Sequence, residues 1–162
     1  MVNRRVGIAI IGTGFAANFH AENYKKVHGV DVNLVGVYGR RPDVTRAFIK
    51  NHGFQKHYPT IEDLLKDPDV DIVDTCIPNR FHEEYATRVL RAQKHVVVEK
   101  PFTGAFTPGT DEESWKSCRK SALASADRMV QEESKSDGKI LYAENWIYAP
   151  GVSKAVRLLV SA

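Results

Sequence analysis

The chain has 162 residues, a length that suits one domain with a substantial buried core. Its 23 basic and 20 acidic side chains are mixed along the sequence, and the net charge of +3 argues against a dedicated nucleic-acid or membrane-surface binder. We predict a cytoplasmic protein, because we find no secretory signal and no segment near the roughly 20 apolar residues of a membrane span. Cys76 and Cys118 lie far apart in sequence, which suits a reducing compartment.

The first predicted element is a strand that turns directly into a helix. An apolar run leads into Gly12, and a helical pattern begins at Phe15. Gly12 permits a sharp backbone turn, Gly14 leaves room for a pyrophosphate, and Ala17 lets the helix pack close to the strand. The free N–H groups of the first helical turn, at Phe15 and Ala16, would face the phosphates. The stretch therefore predicts a dinucleotide site, with a purely structural glycine turn as the alternative.

The rest of the chain alternates predicted strands with predicted helices. Further strands are expected over residues 32–38, 55–58, 71–77, 95–98 and 139–143. Helices are expected over residues 15–27, 42–51, 60–67, from 79, over 110–130 and from 150 onward. This alternation predicts an α/β fold with a doubly wound parallel sheet, the Rossmann fold.

Some of these elements carry a more detailed prediction. Thr60 and Thr110 each begin a sequence that resembles a capping box, and Pro78-Asn79 should cap a helix. The strand at 95–98 should be buried on both faces. One stripe of the helix over 110–130 should pack inward, namely Trp115, Cys118, Ala122, Ala126 and Met129.

The residues at the end of the second strand and just after it indicate which cofactor the site prefers. Here they are Tyr38-Gly39-Arg40-Arg41. NAD binding would favour a carboxylate there for the ribose hydroxyl groups. Arg40 and Arg41 could instead form bidentate bonds with a phosphate, so we predict NADP, with NAD as the alternative. The two arginines could also be solvated loop charges that pair with the nearby Asp43.

Two further motifs follow strands. Ile77-Pro78-Asn79 is followed by His82, and Val98 leads into Glu99-Lys100-Pro101. Together with the glycine turn, these motifs closely resemble the Gfo/Idh/MocA oxidoreductases, the family of glucose–fructose oxidoreductase and inositol dehydrogenase. The resemblance covers residues 5–149, and the Glu-Lys-Pro motif is its most specific part. Residues 142–150 also resemble the segment by which that family leaves its cofactor domain.

Lys100 is the predicted catalytic residue. Oxidation of an alcohol needs a group that stabilises or accepts the hydroxyl proton, and a lysine at the carboxyl end of a central strand lies where ligands bind in this fold. An exposed lysine paired with Glu99 is the alternative, and the resemblance favours the role in the site. The resemblance also implies a cis peptide bond before Pro101.

The other candidate residues should contact the cofactor. Pro78 and Asn79 should border the nicotinamide ribose, and the resemblance implies that His82 faces the site, although taken alone it would be a surface histidine. Glu99 either bonds the ribose or orients Lys100. Trp146 and Tyr148 could shield the nicotinamide or pack in the core. The remaining histidines show no ligand spacing, so we assign no metal.

The resemblance has consequences for domain organisation. Residues 1–149 would form the NAD(P)-binding domain, and residues 150–162 would begin the connection to a C-terminal α/β substrate domain that is absent from this chain. That later domain would supply further catalytic residues and the surface through which a homo-oligomer forms. The segment 102–109 is longer than expected for the family and predicts a mobile loop near the site.

The predicted function is therefore hydride transfer between a nicotinamide cofactor and a small sugar, cyclitol or related polyol, by a protein of which this chain is the dinucleotide-binding domain. Alone it should have little or no turnover. One alternative is a non-catalytic NADP(H)-binding sensor or regulatory module. Another is a methyltransferase, but its adenosyl cofactor would leave Arg40 and Arg41 without a phosphate.

Overall fold

Alternating strands and helices make up the computed structural model, which describes residues 5–105, 111–146 and 149–160. In this part of the chain the strands are Arg5–Ile11 (β1), Asp31–Tyr38 (β2), Lys56–His57 (β3), Ile72–Thr75 (β4), His95–Glu99 (β5) and Ile140–Ala143 (β6). The helices are Phe15–Tyr24 (α1), Pro42–His52 (α2), Ile61–Lys66 (α3), His82–Arg91 (α4), Glu112–Glu133 (α5) and Pro150–Val160 (α6).

The strands form one parallel sheet in the order β3-β2-β1-β4-β5-β6. The predicted doubly wound Rossmann fold is confirmed. The order reverses between β1 and β4, where Ile11 pairs with Tyr38 on one side and with Thr75 on the other. The carboxyl ends of β1, β2 and β4 therefore lie side by side, which is where open α/β sheets bind their ligands.

The central strand β1 is buried on both faces. Ala9 and Ile11 belong to one apolar cluster, while Ile10 belongs to a second cluster on the opposite face with Ala17 and Ala21 of α1. Helices cover the two faces, as parallel sheets require. Ala17 is fully buried, so its small side chain allows the close packing of α1 on the sheet that the glycine turn predicted.

Helix ends follow local sequence signals. Gly53 ends α2 in the left-handed conformation (φ +83°), and Thr60 Oγ1 caps α3 by accepting a bond from the Asp63 N–H at 3.1 Å. The cap of α5 is Asp111, which accepts from the Ser114 N–H at 2.7 Å, one residue after the predicted Thr110. Thr110 itself lies outside the described residues.

Two burial predictions were wrong in part. In the predicted stripe of α5, Met129 is buried and Cys118, Ala122 and Ala126 are half-buried, but Trp115 is 66% exposed. This helix has 22 residues, about 33 Å at 1.5 Å per residue, and so extends beyond strands of four or five residues. The strand β5 buries Val96 and Val98 fully, whereas Val97 on its other face is only half-buried.

The helix α6 contains no fully buried residue. Leu159 and Val160 are the most exposed of its large apolar side chains. Within the described ranges, no helix combines the length and apolar character needed to cross a membrane.

Candidate functional site

A cleft of about 810 Å³ lies at the carboxyl ends of β1, β2 and β4. It brings together five of the predicted cofactor residues: Gly12, Gly14, Arg40, Arg41 and Pro78. The remaining wall comes from the strand ends and from the start of α4, including Thr13, Tyr38, Cys76, Phe81, Glu84 and Tyr85. Sequence reasoning assigned no cofactor contact to the residues of this second group.

Gly12 is required by the backbone geometry of the turn. Its φ is +105°, and a Cβ at this position would lie 2.2 Å from the carbonyl oxygen of Cys76. Its N–H donates to the carbonyl oxygen of Tyr38 at 2.8 Å. The turn thus packs directly against the ends of the two neighbouring strands, and a side chain here would force them apart.

Gly14 has open space around it. It precedes α1 with φ −85°, and a Cβ built on it meets no protein atom within 4 Å. The N–H groups of the first turn of α1 have no partners within the helix, which makes this end suited to an anion. Phe15 and Ala16 follow in that first turn; Phe15 is 89% exposed, and neither lines the cleft. The turn therefore fits the pyrophosphate of a dinucleotide.

Arg40 and Arg41 follow β2 after one intervening residue, Gly39, and are exposed at the cleft. In the described part of the chain no ion pair joins either guanidinium to Asp43, so that local pairing is absent. Glu84 and Tyr85 of α4 line the same cleft. Burial, together with Tyr38 and Glu84, raises the pKa of Tyr85, so that its hydroxyl stays neutral.

Lys100 does not line this cleft. It lies just after the carboxyl end of β5, and its side chain is exposed. The Lys100–Pro101 peptide bond is cis, as the resemblance implied. Glu99 does not pair with Lys100 among the described residues; its Oε1 lies 3.1 Å from His20 Nε2. The surface pair between Glu99 and Lys100, which was the alternative interpretation, is therefore not formed in the described part of the chain.

His82 is 1% exposed, which excludes the surface histidine that its sequence position alone favoured. Its Nδ1 lies 3.0 Å from the carbonyl oxygen of Pro101, and its Nε2 lies 3.0 Å from that of Ile77. The ring therefore links the end of β4 to the segment that follows Lys100.

Pro78 and Asn79 lie between β4 and α4. Asn79 begins a single turn of 3₁₀-helix, Asn79–Phe81, and the residue before α4 is Phe81, without a side-chain cap. The prediction that Asn79 caps this helix was wrong, because the intervening 3₁₀ turn separates it from the first residues of α4.

A polar network that sequence reasoning missed lies behind the cleft. Asp74 is fully buried on β4, and its Oδ2 is 2.7 Å from both His20 Nδ1 and the Tyr24 hydroxyl. Cys76 Sγ lies 3.4 Å from Asp74 Oδ1, and His20 reaches Glu99 through its other nitrogen. The available sequence signal was a carboxylate in the middle of an apolar strand, which must find partners when buried.

The protonation of this network follows from its contacts. The hydrogen bond to Asp74 outweighs burial and, with the nearby charge of Glu99, raises the pKa of His20. Burial and the Asp74 charge raise the pKa values of Tyr24 and Cys76, so that both remain neutral. The atoms of His20, Asp74 and Cys76 that could bind a metal ion lie within 4.8 Å of one another. The 2.7 Å contact between His20 and Asp74 is that of a hydrogen bond, and we assign no metal ion to the group.

The remaining predicted aromatic residues are only partly described. Trp146 is 68% exposed, so it does not pack in the core. Tyr148 lies outside the described residues, as do residues 106–109 of the segment 102–109. In the described part of that segment, the ring of Phe102 packs edge-on against Tyr142, with ring centroids 5.4 Å apart.

Known proteins resemble the chain in sequence and in fold. It is 32% identical over 130 residues to myo-inositol 2-dehydrogenase of Thermotoga maritima, and 33% identical over 121 residues to D-glucoside 3-dehydrogenase of Escherichia coli. These matches cover 80% and 74% of this chain but 33% of each relative, so the chain spans about a third of their length. An NAD binding oxidoreductase from Klebsiella pneumoniae superposes with a TM-score of 0.78 at 25% identity, over 97% of this chain and 39% of that one.

A family description also matches most of the chain. Residues 6–137 match the oxidoreductase family with an NAD-binding Rossmann fold. This range includes the glycine turn, the two arginines and the Glu-Lys-Pro motif. The chain therefore belongs to the Gfo/Idh/MocA oxidoreductase family, of which it contains the NAD-binding Rossmann domain.

Proposed function

We propose that this chain is the cofactor-binding part of an NADP(H)-dependent oxidoreductase that acts on a CH–OH group of a sugar, cyclitol or related polyol. The observation that carries the proposal is the cleft that the glycine turn shares with Arg40 and Arg41. The names of the myo-inositol and glucoside relatives support the substrate class. The remaining substrate contacts would come from outside residues 1–162.

The preference for NADP rests on charge at the end of β2. Tyr38-Gly39-Arg40-Arg41 offers no carboxylate for ribose hydroxyl groups, and it offers two guanidinium groups at the cleft. A phosphate on the adenosine ribose is an anion that can form bidentate ion pairs with such groups, whereas the hydroxyl of NAD is a neutral acceptor that binds a guanidinium more weakly. Gly14 and the first turn of α1 would hold the pyrophosphate, and Pro78 and Asn79 would border the nicotinamide ribose.

The proposed chemistry assigns separate tasks to the cofactor and the protein. When bound, the oxidised nicotinamide supplies the hydride acceptor for alcohol oxidation. Lys100 would donate a hydrogen bond to the reacting oxygen and take part in moving the hydroxyl proton. His82 would hold the backbone on the carboxyl side of Lys100 through the Pro101 carbonyl. We expect little or no turnover from this chain alone.

The test is a fluorescence titration of the chain with NADPH and, separately, with NADH. We expect tighter binding of NADPH, and we expect Arg40→Ala or Arg41→Ala to weaken NADPH binding by about tenfold while changing NADH binding little. Arg46→Ala is the matched control, because Arg46 is an exposed arginine of α2 that does not line the cleft. Equal affinities for the two cofactors would refute the NADP preference. Failure of the folded chain to bind either cofactor would refute the cofactor site.

A further inference from the structure

His20 lies between two carboxylates that come from different strands. Its Nδ1 is 2.7 Å from Asp74 Oδ2 on β4, and its Nε2 is 3.1 Å from Glu99 Oε1 at the end of β5. An ionised carboxylate only accepts hydrogen bonds. With both carboxylates ionised, the two contacts are hydrogen bonds at the same time only if each ring nitrogen carries a proton, so the geometry favours an imidazolium ring.

Asp74 is the fully buried partner of His20. Its carboxylate is fully buried, and the Tyr24 hydroxyl and the Cys76 thiol also point at it. A buried carboxylate without a cationic partner would strongly destabilise the fold. Among the described residues His20 is the group that supplies positive charge to it. The ring is thereby held in one orientation, with Nε2 directed at β5.

Glu99 is the partly exposed partner of His20. Its side chain is 16% exposed, so it could turn toward solvent if its partner were lost. It directly precedes Lys100, and its backbone pairs with Ala143 of β6. A bond from His20 therefore fixes the carboxylate that stands next to the proposed catalytic lysine. The titratable groups that face the ring are Asp74 from β4, Cys76 just after β4, Glu99 from β5, and Tyr24 of α1, which meets the ring through Asp74.

We propose that His20 is a positioning residue, whose doubly protonated ring anchors Glu99 to the buried Asp74 and so fixes the carboxyl end of β5 beside Lys100. The proposal deepens the proposed function and rests on it, since the site it serves is the nicotinamide end of the cofactor cleft. Loss of a ring proton as the pH rises would release Glu99, because Asp74 is the more buried partner and retains the remaining N–H.

The direct test is a ¹⁵N NMR titration of the imidazole nitrogens in the free chain. We expect both nitrogens of His20 to be protonated at pH 7, with a midpoint above the ordinary imidazole value of about 6.5. Glu99→Gln should lower the midpoint by about one pH unit, since it removes one of the two charges that favour the imidazolium. Glu113→Gln, at an exposed position of α5, is the control and should leave the midpoint unchanged. A ring that is neutral at pH 7, or a midpoint that Glu99→Gln does not move, would overturn the proposal.

The functional test is the pH dependence of dinucleotide affinity. Affinity of the wild-type chain should fall as the pH rises through the His20 midpoint. His20→Gln, which donates to one carboxylate at a time, should bind about fivefold more weakly and without this inflection. His28→Gln should behave like the wild type. Parallel pH profiles for His20→Gln and the wild type would refute the positioning role.

Two further results separate the possible failures. If His20→Gln does not fold, as judged by circular dichroism, Glu99→Gln carries the binding measurement, and it too should lose the inflection. If the wild-type chain folds but binds neither NADPH nor NADH, the proposed function fails. The NMR titration still decides whether the ring bridges Asp74 and Glu99.

Discussion

The Nδ1 atom of His82 lies 3.0 Å from the carbonyl oxygen of Pro101. The other ring nitrogen lies 3.0 Å from the carbonyl oxygen of Ile77, and the side chain is buried. The first residue of α4 therefore connects the chain after β4 to the chain after β5. These two segments carry Pro78 and Lys100, so one buried ring helps to set the relative positions of two proposed site residues.

Replacing His82 should cost stability. We expect His82→Ala to lower the free energy of unfolding by about 1–3 kcal/mol, because it removes the donor to a buried carbonyl group and leaves a cavity. Urea denaturation measures this change. His28→Ala, at an exposed histidine, should remain close to the wild type. Equal stability of the two variants would show that the His82 contacts contribute nothing.

The two glycines of the turn should respond differently to alanine. Gly12→Ala should destabilise the fold by about 2 kcal/mol or more, because the Cβ would meet the Cys76 carbonyl at 2.2 Å and the positive φ adds strain. Gly14→Ala should leave stability within about 0.5 kcal/mol of wild type, since its φ is negative and no protein atom lies near the Cβ.

Dinucleotide binding provides the second measurement on this pair. Gly14→Ala should weaken NADPH binding by about tenfold or more, because its Cβ would occupy the space into which the pyrophosphate fits. Thermal unfolding and a fluorescence titration of the same samples separate the two effects. Wild-type affinity in a stable Gly14→Ala variant would contradict the placement of the pyrophosphate.

Two lysines near the ends of β5 form another matched pair. Lys94 Nζ donates to the carbonyl oxygens of Asp67 and Val70 at 2.8 and 2.7 Å, and burial lowers its pKa. Lys94→Ala should therefore reduce the free energy of unfolding by about 1–3 kcal/mol. Lys100 is exposed, and Lys100→Ala should change stability by less than about 0.5 kcal/mol.

The effects on catalytic activity should have the opposite order, with Lys100→Ala more harmful than Lys94→Ala. In a protein with measurable polyol dehydrogenation, Lys100→Ala should lower kcat by roughly 10²–10⁴-fold, the usual contribution of general acid–base catalysis. Steady-state kinetics on both variants, with cofactor saturation verified by titration, makes the comparison. Retained turnover in Lys100→Ala would favour a nucleotide-binding role without catalysis by this residue.

Asp67 should make the stability of the protein depend on acid pH. Burial raises its pKa, but hydrogen bonds from Lys56 Nζ at 2.5 Å and the Tyr58 hydroxyl at 2.7 Å outweigh burial and lower the pKa to about 2. Since the folded pKa lies below the unfolded value of about 3.9, the stabilisation is complete above that value and disappears as the pH falls towards 2.

The corresponding variant is Asp67→Asn. It should be less stable than the wild type by about 1–3 kcal/mol at pH 7. The difference between the two free energies of unfolding should become smaller as the pH falls below 4. Asp69→Asn is the control, because Asp69 is exposed and lies 4.0 Å from Lys56. Urea denaturation at pH 7 and pH 3 provides the data. A stability difference that is the same at both pH values would refute the assignment.

Predictions from sequence were most accurate where the signal is local. The strand, glycine turn and small residue at position 17 predicted β1 and the start of α1, although α1 ends at Tyr24 rather than near Val27. Pro42 with Gly53 predicted the limits of α2 to within one residue. Such signals depend on the backbone conformations that a few neighbouring residues allow. The predicted inward stripe of α5 was wrong at Trp115, which is exposed, because apolar spacing identifies a face of a helix but not how far its partner extends.

Local sequence patterns were enough to predict the family, the alternating α/β order and the glycine turn, because each pattern consists of residues that are close together in the chain. Only the tertiary structure revealed the contacts from His20 to Asp74 and Glu99, which lie 54 and 79 positions further along. It also revealed that His82 is buried between two carbonyl groups. Parallel pairing of β1, β4 and β5 brings these residues together at one edge of the sheet, and their individual side chains carry no periodic pattern from which that meeting could be predicted.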